Sequence, residues 1–120
     1  MKELDKKIIS LRNALFNSWS IETSSKWTEQ NPAKGQCSVT ALVVNDLLYG
    51  QIIKTKVEES WHYYNYIHGK RYDFTESQFG TSIQYDDLFS SRSEAFLDTN
   101  ETQYRTLKDS VLKKINFDNQ

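Results

Sequence analysis

The chain has 120 residues, with 15 Lys and Arg against 16 Asp and Glu, so its formal net charge is −1 at pH 7. This length suits a single domain over residues 1–120. A chain of this length buries roughly 65% of its unfolded accessible surface on folding, enough for a core without disulfides. The lack of a basic excess argues against nucleic acid or an anionic membrane as a partner. The N-terminus is charged, no apolar run is long enough for a signal peptide or a membrane span, and the one cysteine cannot pair within the chain. We therefore expect a cytoplasmic domain that is monomeric or weakly self-associating.

The first half of the chain predicts two helices joined by a loop. Residues 3–17 place apolar side chains at helical spacing, and Ile9 and Phe16 widen the apolar stripe. Residues 18–36 are polar and contain Ser-Ser, Asn-Pro and Lys-Gly steps, which predict a loop that two tryptophans attach to the core. Residues 38–48 are apolar nearly all round, which is typical of a buried helix, and a glycine follows as a natural stop.

The second half predicts a sheet and a C-terminal helix. Glu-Glu-Ser and then His-Gly separate three predicted strands, at residues 51–58, 61–67 and 70–75. A short helix over residues 91–97 precedes a last helix over residues 101–115. The order of elements predicts an α+β fold with an N-terminal helix, a buried helix that carries the cysteine, an antiparallel sheet of at least three strands and a C-terminal helix.

The last helix also has a predicted cap and a predicted buried face. Asn100 or Thr99 is expected to cap its first turn. Its apolar stripe consists of Tyr104, Leu107, Val111, Leu112 and Ile115.

The single cysteine, Cys37, falls at the first turn of the buried helix. Unpaired backbone N–H groups and the positive end of the helix dipole favour a thiolate there. The dipole supplies at most roughly 1–2 kcal/mol, whereas an ordinary thiol is only about 3% ionised at pH 7. An efficient nucleophile therefore also needs a base or a cationic partner. A lone cysteine is more often core filler, so only its position at a helix start points to chemistry.

Two histidines are available as that partner, and the hairpin register selects His62. His68 lies beside Gly69 in a predicted tight turn and is expected to be exposed. A two-residue turn at this point puts Tyr64 opposite Asp73. Because side chains alternate along a strand, His62 then shares a sheet face with Asp73, as a diagonal neighbour about 7 Å away between Cβ atoms. A symmetric four-residue loop gives the same result, whereas a three-residue loop puts Asp73 on the other face.

These positions predict a triad of Cys37, His62 and Asp73, provided that the buried helix packs on the sheet face that carries His62. We expect the sulfur within about 4 Å of one ring nitrogen of His62, and Asp73 hydrogen-bonded to the other nitrogen. In this interpretation Cys37 attacks a carbonyl carbon and His62 takes and returns the proton. Asp73 orients the imidazole.

The oxyanion of such a reaction needs hydrogen-bond donors. The backbone N–H of Cys37 is one candidate, and the others are the side chains of Gln30, Asn31 and Gln36. Structural roles are the alternative for these residues. The amides then stabilise the loop, His62 is a packed strand residue, and Asp73 pairs with a neighbouring arginine or lysine.

The order of cysteine on a helix, histidine on a strand and aspartate on the next strand resembles the core of papain-like and transglutaminase-like cysteine enzymes. The runs NPAKGQCSVTALVVNDLLYG and WHYYNYIHGKRYDFTESQF resemble the YunG-like family of small bacterial proteins, over roughly residues 19–80 and only loosely in the last third. The resemblance implies a bacterial cytoplasmic protein with a papain-like scaffold and supplies no activity. The chain departs from the papain pattern because no Trp follows Cys37 and because the three residues lie close together in sequence. The compact transglutaminase-like core is the better analogue.

Two functions of different classes follow from this sequence. The first is a cysteine-dependent hydrolase or acyltransferase that acts on an amide, isopeptide or thioester bond of an unidentified peptide or protein. The second is a catalytically silent domain that holds a peptide or partner in an aromatic cleft, and a redox-sensing thiol is a third alternative. No cofactor is expected. No metal is expected either, because one cysteine and two histidines lack a standard ligand spacing, and the chain has no Gly-rich phosphate loop.

Overall fold

The computed structural model describes residues 2–117 and has a mixed α+β architecture. The helices are α1 (Glu3–Phe16), α2 (Cys37–Leu48), α3 (Arg92–Phe96) and α4 (Glu101–Lys114), with a 3₁₀ turn at Glu76–Gln78. The strands are β1 (Gln51–Val57), β2 (Ser60–Ile67), β3 (Lys70–Tyr72) and β4 (Leu88–Phe89). Residue 1 and residues 118–120 of the predicted single domain lie outside the described residues. No helix within residues 2–117 is long and apolar enough to cross a membrane.

The helical core forms where α1, α2 and α4 meet. Leu11 and Leu15 of α1, Val43 of α2 and Leu107 of α4 are fully buried in one cluster. The helix α2 is buried on almost every side, as its composition predicts, because α4 and the sheet cover it.

Three predicted core positions are solvent-exposed instead. Ile9 is 49% exposed, Phe16 43% and Leu112 46%. The apolar stripes of α1 and α4 are therefore narrower than predicted, because each of these helices packs through one face only.

The sheet is antiparallel, with the strand order β3-β2-β1-β4. In the second hairpin Ile67 lies opposite Lys70, so His68 and Gly69 form the two-residue turn on which the register prediction depends. Both turn residues have positive φ, 50° and 77°, which two-residue hairpin turns require. In the first hairpin Val57 lies opposite Ser60. Ser60 therefore belongs to β2, whereas the sequence predicted it in the turn.

The segment after β3 contains structure that the sequence does not predict. The strand β3 ends at Tyr72 and not at residue 75, and residues 76–78 form the 3₁₀ turn. The strand β4 adds a fourth strand beside β1 through only two residues, Leu88 and Phe89. Such a short strand has no periodic signal of its own, and only its pairing with β1 defines it.

The long loop between α1 and α2 is attached to the core by its two tryptophans, as predicted. Trp19 is buried, and its Nε1 atom donates a 2.9 Å hydrogen bond to Oγ1 of Thr40 on α2. Trp27 packs against the helical core. The loop therefore holds the start of α2, where Cys37 lies, in a defined position. At the other end of the chain, the Asn100 side chain caps α4 by accepting from the backbone N–H of Gln103.

Candidate functional site

Cys37 is the first residue of α2, as predicted, and it lies at the wall of a cavity of about 640 Å³. It is 8% exposed, so the thiol is more buried than an open surface nucleophile. The residue before it, Gln36, does not cap the helix with its side chain, and the first turn contains no acidic residue. The positive end of the helix dipole is therefore not offset by an acidic side chain within the first turn.

The helix α2 does not pack on the predicted face of the sheet. It contacts the face that carries Tyr63, Asn65 and Ile67, and the Asn65 side chain donates to the carbonyl oxygen of Ala41 on α2. Because side chains alternate, His62 points to the other face. The condition stated for the convergence of the three residues, packing of α2 on the His62 face, is therefore not met.

The thiol nevertheless lies near the imidazole. Cys37 and His62 line the same cavity, and Cys37 is one of the groups that raise the pKa of His62. The ladder between β2 and β3 covers only residues 65–67 of β2, so β3 leaves the edge of β2 uncovered beside His62. The cavity that Cys37 and His62 both line brings them near each other without the packing that the sequence suggested.

The imidazole of His62 is held on several sides. Its Nε2 atom lies 2.7 Å from Oδ2 of Asp73, as the hairpin register predicts. The ring stacks on Tyr64 at 5.6 Å between centroids and meets the ring of Phe79 edge-on at 4.8 Å. Burial alone lowers the pKa of His62, but the hydrogen bonds and charges of Asp73 and Cys37 outweigh it and raise that pKa from 6.5 to about 9. The ring is therefore an imidazolium at neutral pH.

Asp73 is buried and accepts four hydrogen bonds. Its Oδ2 atom accepts from His62 and, at 2.7 Å, from the hydroxyl of Tyr85. Its Oδ1 atom accepts from the backbone N–H of Thr75 at 3.1 Å and from the Thr75 hydroxyl at 3.2 Å. These four donors satisfy the lone pairs of an ionised carboxylate.

The site predicted from the sequence does not include Thr75 or Tyr85 as partners of Asp73. The Asp-Phe-Thr step contains a signal for Thr75, because an aspartate often accepts from the backbone N–H two residues on. Tyr85 lies 12 residues beyond Asp73 in an irregular segment, so no local pattern connects the two.

The segment that carries Tyr85 is fastened to the sheet through Asp87. Arg71 donates two hydrogen bonds of 2.8 Å to the carboxylate of Asp87 and lies 4.3 Å from the ring centroid of Tyr85. The Tyr64 hydroxyl donates to Asp87 at 2.9 Å. Arg71 therefore pairs with Asp87 and not with Asp73, so this structural alternative for Asp73 is wrong.

The three predicted oxyanion side chains lie outside the cavity that Cys37 lines. Gln36 is fully buried, and its amide accepts from Thr23 and donates to the carbonyl oxygen of Ser20. Asn31 donates to the carbonyl oxygen of Gln78, and Gln30 is exposed. The amides of Gln36 and Asn31 thus stabilise the loop, which leaves the backbone N–H of Cys37 as the predicted donor at the site.

Comparison with known proteins places the chain among its relatives. The family described as "YunG protein" matches residues 7–116. The chain belongs to the YunG family. A relative from Bacillus subtilis (strain 168), "Uncharacterized protein YunG", is 55% identical over 102 residues, which are 85% of this chain and 89% of the relative. No solved structure matches the chain at a significant level, so the expected papain-like or transglutaminase-like core has no structural relative to support it.

The family match is longer than the resemblance predicted over residues 19–80. It includes most of α1 and all of α4, the helices that build the core behind α2. Within residues 2–117 of this member of the YunG family, no three His, Cys, Asp or Glu side chains are arranged to hold a metal ion.

Proposed function

We propose that the protein is a cysteine-dependent hydrolase or acyltransferase that acts on an amide, isopeptide or thioester bond of a peptide or protein substrate. One observation carries the proposal: the Nε2 atom of His62 lies 2.7 Å from Asp73, and His62 shares the wall of one cavity with Cys37, which acts on its pKa. A nucleophile, a base and a residue that orients the base form the arrangement that activated nucleophiles use.

The chemistry assigns one role to each residue. The Cys37 thiolate attacks the carbonyl carbon, which forms a C–S bond and places the electron pair on the oxygen, where the backbone N–H of Cys37 is available as a donor. The oxyanion then collapses, the bond to the leaving group breaks, and the His62 imidazolium gives that group its proton. Water or an acceptor amine attacks the thioester while His62 takes its proton, and the thiolate leaves. Asp73 holds the ring orientation throughout.

The raised pKa of His62 suits this sequence of steps. An imidazolium at neutral pH stabilises the neighbouring thiolate and is ready to protonate the leaving group. The chemistry uses no cofactor or metal. We place the protein in the cytoplasm as a monomer or weak homo-oligomer, without nucleic acid or membrane partners.

Alkylation of the single cysteine tests the proposal. At pH 6.5 an ordinary thiol is only about 1% ionised, so we expect iodoacetamide to modify Cys37 at least ten times faster than glutathione. The His62→Ala variant should lose most of this advantage, and the matched His68→Ala variant, which removes the exposed histidine, should keep it. A rate equal to that of glutathione and unchanged in His62→Ala contradicts the proposal.

A catalytically silent binding domain is the second candidate. Trp61, Tyr63 and the exposed Leu97 line the cavity and offer apolar surface to a peptide. This function predicts that a bound peptide perturbs the fluorescence of Trp61 while Cys37 reacts no faster than glutathione.

A further inference from the structure

The cavity beside Cys37 is lined by basic side chains from the loop before α2, here called the basic wall, and by acidic side chains from the β1–β2 turn and the region of α3, here called the acidic wall. We propose that it selects a dipolar, peptide-like substrate, with an anionic group at Lys26 and Lys34 and a cationic group at Glu58 and Asp98. This proposal names the substrate class of the same site and rests on the proposed function for its chemistry. Its test measures binding, so the proposed selectivity and the proposed catalytic function can fail separately.

The basic wall comes from the loop before α2. Lys26 packs against Gly35, since a Cβ atom added at Gly35 would lie 2.8 Å from Cβ of Lys26. Gly35 is two residues before Cys37, so this packing keeps the Lys26 side chain near the nucleophile. Within residues 2–117, neither Lys26 nor Lys34 has an ion pair or a side-chain hydrogen bond. Their charges, and the adjacent positive end of α2, are available to a ligand.

The acidic wall comes from the β1–β2 turn and from the region of α3. Glu94 forms a close ion pair with Lys54 and accepts from Ser90, so its charge is offset within the protein. In the described part of the chain, Glu58 and Asp98 have no such partner. These two carboxylates remain for a cationic group.

The acidic wall also lies near the thiol. Burial, together with the charges of Glu94, Asp98 and Cys37, raises the pKa of Tyr63 to about 12. Tyr63 packs in the same cluster as Cys37, so Asp98 acts on a side chain that borders the nucleophile. Each charge set therefore has one member close to the start of α2: Lys26 beside Gly35, and Asp98 near Tyr63.

An apolar surface completes the cavity. Lys54 and Lys56 lie 4.0 Å and 4.6 Å from the centroid of the Trp61 ring, and these contacts hold the ring in place on the cavity wall. Leu97 adds exposed apolar surface at the rim. A volume of about 640 Å³ is within the usual range of small-ligand sites. Apolar surface combined with charges of both signs suits a short peptide that carries both an acidic and a basic side chain.

Blocked dipeptides test this selectivity. We would use acetylated, amidated Lys-Glu and Glu-Lys, with analogues in which Gln replaces Glu or norleucine replaces Lys. Binding is read from the protection of Cys37 against iodoacetamide, and independently from the fluorescence of Trp61 with Trp61→Phe as the control. The protein variants are Lys26→Gln/Lys34→Gln and Glu58→Gln/Asp98→Asn, which change exposed side chains and should preserve the fold.

We expect the better dipolar peptide to bind at least three-fold more tightly than either singly charged analogue. The lysine variant should lose the preference for Glu over Gln and keep the preference for Lys over norleucine, and the acidic variant should do the reverse. The proposal is overturned if the peptides with Gln and norleucine bind as well as the dipolar ones, or if either variant weakens all peptides equally. A slow thiol combined with the expected peptide preference would refute the proposed function and leave this selectivity standing.

Discussion

The hydroxyl of Tyr85 and the imidazole of His62 donate to the same oxygen, Oδ2 of Asp73, each at 2.7 Å. Residues from two separate segments therefore share one buried carboxylate. Burial and the hydrogen bond to Asp73 raise the pKa of Tyr85, so its hydroxyl stays a donor at neutral pH.

The Tyr85→Phe variant should lower the free energy of unfolding by about 1.5–3 kcal/mol, because a charge-assisted hydrogen bond to a buried carboxylate is lost. Chemical denaturation measures the change. The control is Tyr49→Phe, since Tyr49 is 74% exposed, and its stability should match that of the wild type. Equal stability of both variants would show that Tyr85 does not support Asp73.

The stability of the protein should fall as the pH rises from about 6.5 to about 9. Folding raises the pKa of His62, so the folded state binds the proton more tightly than the unfolded state. This contribution is complete below pH 6.5 and is lost as the pH passes through the folded-state value, with a size on the order of 3 kcal/mol. Urea denaturation at several pH values measures it. His62→Gln should flatten the profile in this window and His68→Gln should not; a wild-type profile that rises with pH would contradict the assignment.

Two hydroxyls on α2 should respond in opposite directions to removal. The Oγ atom of Ser38 is buried and has no hydrogen-bond partner among the described residues, whereas Oγ1 of Thr40 accepts from Trp19. Ser38→Ala should raise the free energy of unfolding by about 1 kcal/mol, because an unsatisfied buried group disappears. Thr40→Val should lower it by about 1–2 kcal/mol, because the indole N–H loses its acceptor. Thermal and urea denaturation of the two variants measure these changes. A loss of stability in Ser38→Ala would mean that the Ser38 hydroxyl has a hydrogen-bond partner.

Three glycines form a graded series. Gly35 has a φ of 74°, and a Cβ atom there would lie 2.4 Å from Oγ of Ser24, so Gly35→Ala should cost more than about 2 kcal/mol. Gly69 has a φ of 77° but open space around it, so its replacement by Ala should cost about 1 kcal/mol. Gly80 has neither constraint, and Gly80→Ala should be neutral. A neutral Gly35→Ala, measured by denaturation, would show that the loop before Cys37 rearranges freely.

Replacing the nucleophile should hardly affect stability. In Cys37→Ser the hydroxyl lines the cavity and is not enclosed in the core, so we expect a loss below about 1 kcal/mol. If Cys37 were core filler, burying an unpaired hydroxyl would cost about 1–3 kcal/mol. The difference in melting temperature between the variant and the wild type separates these cases.

The sequence alone determined the features that depend on local pattern. Apolar periodicity located α1, α2 and α4, because a helix with one buried face repeats every 3.6 residues. The His-Gly turn set the register of the second hairpin, because alternation along the strands follows once the turn length is known. Asp73, directly after the end of β3, then lies within hydrogen-bond distance of His62.

The tertiary structure decided what depends on contacts between distant segments. The α2 helix packs on the Tyr63 face, and Cys37 and His62 line one cavity. Alternation along a strand cannot reveal on which face of the sheet a helix packs. Tyr85 reaches Asp73 from an irregular segment, and β4 exists only through its pairing with β1. The amide of Gln36 is directed to Ser20 and Thr23 by the path of the loop, which local residue preferences do not specify. Such contacts arise from the packing of the whole chain, since each is made only when several elements are already in place.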